Sequence, residues 1–333
     1  MTPLCIGTMN FGVVTDPPEA VRIIHSGIDA GIDVVNTSDF DYSGRSEEIV
    51  REALREPTVR DKVFLSVEIS GKDMGVPHNP DLSRRYILGA CDRALGRLGT
   101  DRIDLYIVPR PNPRIPIVET LHVLADLIEV GKILYAGLST FPAWMVMEAV
   151  AVAEREGLRP IVAEQSPYNL LDRRVENELV PLAARYGIGL LPWAPLAQGV
   201  LTGRYSDANN LPPDSRAARV GGVYRERVTA AGVAAAVHFV GIARAAGWTP
   251  AQLAYAWVRD RPGVVAPMVG FRTLDQLHEL LAVLERPVDP ELCDACDEIN
   301  PPGSVITSFF NTAPWMKMIV RDSEPWQPPG GEA

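Results

Sequence analysis

Cysteine is scarce in this chain: four residues, Cys5, Cys91, Cys293 and Cys296, among 333. Four thiols in a chain of that length do not make a disulfide framework. The last two are spaced C-x-x-C in ELCDACDEIN, with no second pair and no nearby histidine, and read as packing thiols rather than a metal or redox site. Long apolar runs are missing too. None reaches the ~18 residues of a membrane span, and no basic stretch precedes an apolar one at the N-terminus, so no signal peptide is predicted. Cations are outnumbered, with 32 Lys+Arg against 42 Asp+Glu and a net charge of −10. That balance disfavours nucleic acid and a polybasic membrane anchor. The expectation is a cytoplasmic protein with a small-molecule partner, no nucleic acid and no membrane, its oligomeric state left open.

Apolar material is plentiful, at 47% of residues, enough for a large core. Short, β-rich, nearly continuous apolar runs alternate with longer helical patterns. The runs are LCIG from Leu4, DVVN to Asn36, VFLSVE to Glu68, IDLYIV to near Pro109, ILYAGLS to Ser139, IVAEQ to Gln165, GLLPW to Trp193 and VVAPMVG to Gly270. Continuous runs of this kind suit parallel strands buried on both faces. The helical segments between them start on proline or serine and close on glycine, as in PPEAVRIIHSGIDAG and SRRYILGACDRALGRLG, with Ser83 as an N-cap. Eight alternations predict an α/β fold of the (β/α)8 TIM-barrel type. A doubly wound sheet is the alternative, but it calls for a G-x-G-x-x-G turn after an early strand, and the chain has none.

The spacing predicts one barrel domain over 1–333. From Pro301 the chain is rich in proline, glycine and aromatics, and 301–333 reads as a tail laid over a barrel face. The interval between Trp193 and Gly270 is longer than the others. Its polar stretch SDANNLPPDSRAARVGG reads as a mobile loop.

Barrel chemistry collects at the C-terminal ends of the strands. Those ends carry Asn36, Glu68, Pro109, Ser139, Gln165, Trp193 and Gly270. The segments IGTMNFG, GRSEE, LGTDRIDLY, GKILYAGLS, EQSPYNLLDR, WAPLAQGVLTGRY and VGFRTLDQLHE occur in order at barrel spacing. Together they make the chain resemble the aldo-keto reductases from Ile6 to about Pro302, without that family's hairpin ahead of the first strand. The resemblance implies NADPH-dependent carbonyl reduction by an Asp, Tyr, Lys, His tetrad. It also implies that all four positions are changed. Asn36 stands for the aspartate, Asp41 for the tyrosine, Glu68 for the lysine and Pro109 for the histidine. Asn36 and Glu68 are mutually consistent, because an asparagine amide can donate to a carboxylate that an aspartate would repel. Glu68 therefore reads as the principal acid/base group, Asp41 as its partner, Asn36 as its orienter and Tyr42 as a substitute hydroxyl. Arg110 reads as structural, and a carboxylate metal site from Asp39, Asp41 and Glu68 lacks a histidine.

The cofactor side of the resemblance is half retained. Gln165 matches the residue that bonds the nicotinamide amide, and Trp193 the position beside its ring. Gly199 and Leu201 match the pyrophosphate loop, and Arg272 and Gln276 the positions near the adenosine phosphate. Thr140, Ala194 and Leu280 replace polar cofactor contacts, so the expectation is no bound cofactor or weakly bound NADP. Three readings follow. The first is a non-redox lyase or isomerase, carrying out isomerisation, elimination, dehydration or cyclisation on a small carbonyl- or hydroxyl-containing metabolite, with Phe309, Phe310 and Trp315 closing the pocket. The alternatives are an NADPH-dependent carbonyl oxidoreductase with a substitute proton donor, and a catalytically silent ligand-binding protein.

Overall fold

The computed structural model describes residues 2–38, 44–69, 82–112 and 115–310. Eight strands form one parallel sheet: β1 (Cys5–Gly7), β2 (Val34–Ser38), β3 (Phe64–Glu68), β4 (Ile103–Pro109), β5 (Ile133–Ser139), β6 (Ile161–Gln165), β7 (Gly189–Leu190) and β8 (Met268–Val269). Their order is β7-β6-β5-β4-β3-β2-β1-β8. Beyond β7 the chain bridges to the β8 segment at Leu190↔Val264 and Trp193↔Met268. Val265 N donates to the Leu190 carbonyl at 2.8 Å and Met268 N to that of Pro192 at 2.7 Å, which brings the two edges of the sheet together. The predicted (β/α)8 architecture is thus the observed one, and the doubly wound alternative falls. The predicted strand ends coincide with the observed ones through β6 except at β2, which runs two residues past Asn36 to Ser38. Runs seven and eight are shorter as strands because they pair through isolated bridges.

The helices are α1 (Pro17–Asp29), α2 (Arg45–Ala53), α3 (Pro57–Arg60), α4 (Arg84–Leu98), α5 (Ile117–Glu129), α6 (Ala143–Glu156), α7 (Leu179–Tyr186), α8 (Arg216–Val220), α9 (Gly222–Glu226), α10 (Ala230–Ala245), α11 (Pro250–Arg259), α12 (Leu274–Leu281) and α13 (Pro290–Ile299). Asp16 caps α1, its Oδ1 accepting from Glu19 N at 2.9 Å, with Pro17 where no N–H is needed. Ser83 stands at the N-cap position of α4, as expected. Thr249 and Gln252 form a reciprocal capping box at the start of α11. No single helix among the described residues is long and apolar enough to cross a membrane. Helices α10 and α11 pass that test only as a pair bent by 94°.

The long interval after Trp193 departs from the expected mobile loop. Its polar stretch carries α8 and α9, because Ser215 Oγ accepts from Ala218 N at 3.2 Å and starts a helix. Arg204 binds Asp214 at 2.7 Å, and Arg216 donates to Asn10 Oδ1 at 2.9 Å across to the β1 loop. The start of the tail is also tied down. Asp172 Oδ2 accepts from Phe309 N at 2.6 Å and Phe310 N at 3.3 Å. Arg173 reaches Asp297 at 2.6 Å and the Asn300 carbonyl at 2.7 Å. Phe309 is buried. Residues 311–333, Trp315 among them, lie outside the described residues.

Candidate active site at the strand ends

Strand register brings the candidate residues to one level. Ser38 pairs with Glu68, Glu68 with Ile107, and Pro109 with Ser139, which pairs with Gln165. Asn36 is buried on β2, and its Nδ2 donates to Ser66 Oγ at 2.9 Å, on the strand that carries Glu68 two residues on. Glu68 is half-buried at the end of β3. Asp39, Asp41, Tyr42, Lys72 and His78 lie outside the described residues. Among the described residues no group of three His, Cys, Asp or Glu side chains is placed to hold a metal ion. Cys296 is buried in α13, its thiol pushed up to about 12 by desolvation.

Arg110, read from the sequence as structural, belongs to the mouth. It follows β4 directly with φ 34°, a left-handed backbone rare outside glycine, and its N–H holds the Ser139 carbonyl at 2.8 Å. Burial lowers the proton affinity of its guanidinium, and the nearby charge of Glu68 opposes that effect. The sequence reading missed Arg227 altogether. Its guanidinium lies over the Trp193 ring at 5.1 Å and the Phe309 ring at 5.3 Å, and donates to the Phe309 carbonyl at 3.0 Å. Desolvation lowers it to about 10. A composition signal was available: residues 204–228 hold five arginines against three acidic residues in a chain whose net charge is −10.

The residues matched to a dinucleotide occupy two zones. In the first, Gln165 is buried at the end of β6, and its Nε2 meets no acceptor among the described residues. Its carbonyl accepts from Thr140 N at 2.9 Å and Ser139 Oγ at 3.2 Å, while Trp193 Nε1 donates to Thr140 Oγ1 at 3.4 Å. In the second zone Ala197, Gln198 and Gly199 are successive left-handed residues, at φ 48°, 57° and 92°. Two non-glycine residues held there store backbone strain of the kind found at ligand clamps. Leu201 is fully buried. Arg204 and Arg272 share Asp214, at 2.7 and 3.3 Å, and Arg272 N donates to Gln276 Oε1 at 2.9 Å. Leu280 is buried on α12 and packs into the core.

Residues 3–301 match the model of the aldo/keto reductase family. "Uncharacterized oxidoreductase YrpG" of Bacillus subtilis (strain 168) is 32% identical over 310 residues, covering 90% of this chain and 93% of that protein. "Probable voltage-gated potassium channel subunit beta" of Oryza sativa subsp. japonica is 33% identical, covering 87% and 90%. "Putative aryl-alcohol dehydrogenase C977.14c" of Schizosaccharomyces pombe is 29% identical, covering 87% and 90%. These relatives overturn the expectation of a non-redox lyase or isomerase, since those named for an activity are redox proteins. Hydride chemistry depends on the cofactor's side of the mouth, where Gln165 ends β6 and Trp193 bridges Met268. By sequence, fold and the level at which its strand-end residues meet, the chain belongs to the aldo/keto reductase family.

Proposed function

We propose that this protein is an NADP(H)-dependent oxidoreductase interconverting a carbonyl compound and its alcohol. The observation that carries the reading is Gln165. A carboxamide nitrogen buried without an acceptor costs about 1–3 kcal/mol, so its retention at the end of β6 points to an acceptor delivered by a ligand. A nicotinamide carboxamide oxygen suits that donor, and Trp193 beside it offers a flat apolar face. The left-handed turn at Ala197–Gly199 and the arginines 204 and 272 suit a pyrophosphate and an adenosine phosphate.

When bound, NADPH supplies the hydride. The chain's residues bind and orient the reactants, exclude water and move the proton. Trp193 and Phe309 flank the guanidinium of Arg227. The charge of Glu68 acts on Arg110 there and opposes the effect of its burial. Asn36, Asp41, Glu68 and Pro109 stand where the family resemblance puts its tetrad, so the proton comes from a substitute donor, with Tyr42 and Asp41 the candidates. Thr140, Ala194 and Leu280 weaken the cofactor's polar contacts, so binding is expected to be weaker than a full set would give.

The test is an NADPH titration followed by NADPH oxidation with aromatic aldehydes. We expect saturable micromolar binding and slow turnover, since losing a tuned proton donor typically costs ~10²–10⁴-fold. Gln165→Leu should weaken NADPH about tenfold. Absence of binding at millimolar NADPH would overturn the reading. Tight binding with no turnover would leave a ligand-binding protein.

A further inference from the structure

We propose that Glu164 is a positioning residue for the indole of Trp193: through the N–H of Phe141 it holds Thr140 in a left-handed turn, and the Thr140 hydroxyl fixes the indole at the strand ends. The path from Glu164 to the indole rests on the contacts themselves. Its consequence, that Glu164 sets how tightly a nicotinamide is held, rests on the oxidoreductase reading.

Thr140 follows β5 with φ 61°. A β-branched residue at that φ is an outlier, because its side chain crowds the backbone, and it persists only where the surroundings over-determine it. Thr140 N donates to the Gln165 carbonyl at 2.9 Å, continuing the ladder between β5 and β6. One residue on, Phe141 N donates instead to a side chain, the Glu164 carboxyl, at 3.1 Å from Oε1. The Phe141 ring is sealed in the core. The strained residue is thus pinned on both sides, before it by the backbone of β6 and after it by Glu164.

The turn gives the Thr140 hydroxyl a partner. Trp193 Nε1 donates to Thr140 Oγ1 at 3.4 Å. Ser139 Oγ gives its single hydrogen to the Gln165 carbonyl at 3.2 Å, so Thr140 Oγ1 donates onward to Ser139 Oγ at 3.4 Å. A directed chain of hydrogen bonds therefore runs from the indole through both hydroxyls to β6, the strand that carries Glu164. Bonds of that length weaken steeply on further displacement, so the indole depends on where the turn places the Thr140 hydroxyl. Arg227 packs on the face of the ring, and Thr140 holds its edge.

A carboxyl is a costly group for this place. Glu164 is fully buried, its Oε2 meets no hydrogen-bond partner at ordinary geometry among the described residues, and the Ser166 hydroxyl acts on it from two residues along the chain. An apolar side chain would avoid that cost but leave Phe141 N without its acceptor. Burial keeps the carboxyl protonated up to about 8, so a neutral glutamine amide is its near mimic.

The experiment places isotope-labelled tryptophan in the full chain and follows the indole N–H resonances by NMR, Trp193 being assigned as the resonance that Trp193→Phe removes. NADPH affinity is measured on the same variants by calorimetry. We expect Glu164→Leu to move the Trp193 resonance without cofactor present and to weaken NADPH about tenfold, with little change in the KM for an aromatic aldehyde. Glu164→Gln should restore both resonance and affinity. Thr140→Val keeps the shape, deletes the hydroxyl and should behave as Glu164→Leu does. The double variant should lose no more than Thr140→Val alone, because one path carries both effects. If Glu164→Leu does not fold, Glu164→Asp, one methylene short of Phe141 N, takes its place. A Trp193 resonance that stays at its wild-type position in the folded Leu or Asp variant overturns the proposal. So do losses that Gln fails to restore, or that add in the double variant. Should wild type bind no NADPH while the resonance moves in the Leu and Val variants and returns with Gln, the oxidoreductase reading fails and the positioning of Trp193 stands.

Discussion

Glu164 lies fully buried in β6 beside Gln165, with Phe141 N donating to its Oε1 at 3.1 Å. Burial pushes its carboxyl up to about 8 from an ordinary 4.5, against the opposing pull of that backbone bond. The sign follows from the direction of the shift. The unfolded chain releases this proton above about 4.5, whereas the folded chain keeps it until about 8. Stability from this group is therefore complete at acid pH and declines through that window, by at most about 1.4 kcal/mol per pH unit, then levels off. Glu164→Gln keeps the acceptor for Phe141 N and has no proton to lose. Thermal melts between about pH 5 and pH 8 should show wild type losing ground to the variant steadily as pH rises. Parallel curves would mean that Glu164 ionises freely in the folded protein. The sequence put Gln165 at a strand end but did not single out its neighbour. Burial on both faces of a parallel strand leaves no alternation from which to read which side chain is sealed in.

At the scale of elements, two segments are held by contacts that a single substitution removes. The first is the chain from Ser304 to Phe310, which Asp172 holds through two backbone N–H groups while also binding Arg174 at 2.6 Å. Asp172→Ala leaves those donors and Arg174 without their acceptor, a loss of about 3 kcal/mol. Hydrogen exchange at Phe309 and Phe310 should accelerate well beyond the change in global stability. Protection that falls only in step with global stability would show that the segment is held by packing alone. The second is the turn at Gly199, with φ 92° and Arg204 Cδ 3.2 Å from where a Cβ would stand. Gly199→Ala should destabilise by roughly 1 kcal/mol or more and weaken NADPH binding, with calorimetry reading both. A variant as stable and as tight as wild type would make the left-handed turn incidental. The strands and most helices were legible because their signals are local: apolar runs of four to seven residues, caps and closing glycines. The interval after Trp193 was not. Helices α8 and α9 are only five residues each, and Arg216 of α8 pairs with Asn10, more than two hundred residues away, rather than along a helical face. Arg227 was missed for the same reason, since its partners Trp193 and Phe309 lie 34 and 82 residues away by subtraction of their numbers.

At the scale of the whole molecule, charge is distributed against its own balance. The chain carries a net charge of −10, yet Arg110, Arg204, Arg216, Arg227 and Arg272 gather around the mouth and the loop that faces it. The overall field repels an anion, and the local field at the C-terminal ends of the strands attracts one. Screening acts on both. The Debye length is about 10 Å at about 0.1 M salt, so exposed acidic residues far apart on the surface stop repelling one another first. Raising NaCl from about 20 to about 200 mM should therefore leave the melting temperature unchanged or slightly higher. Over the same range, attraction between the mouth arginines and a polyanionic dinucleotide weakens, so the dissociation constant for NADPH should rise several-fold. The two trends run in opposite directions, which separates a local cationic site from a general effect of salt on folding. Calorimetric titrations and melts in matched buffers measure both. Affinity for NADPH that is flat or strengthens with salt would place the cofactor away from these arginines.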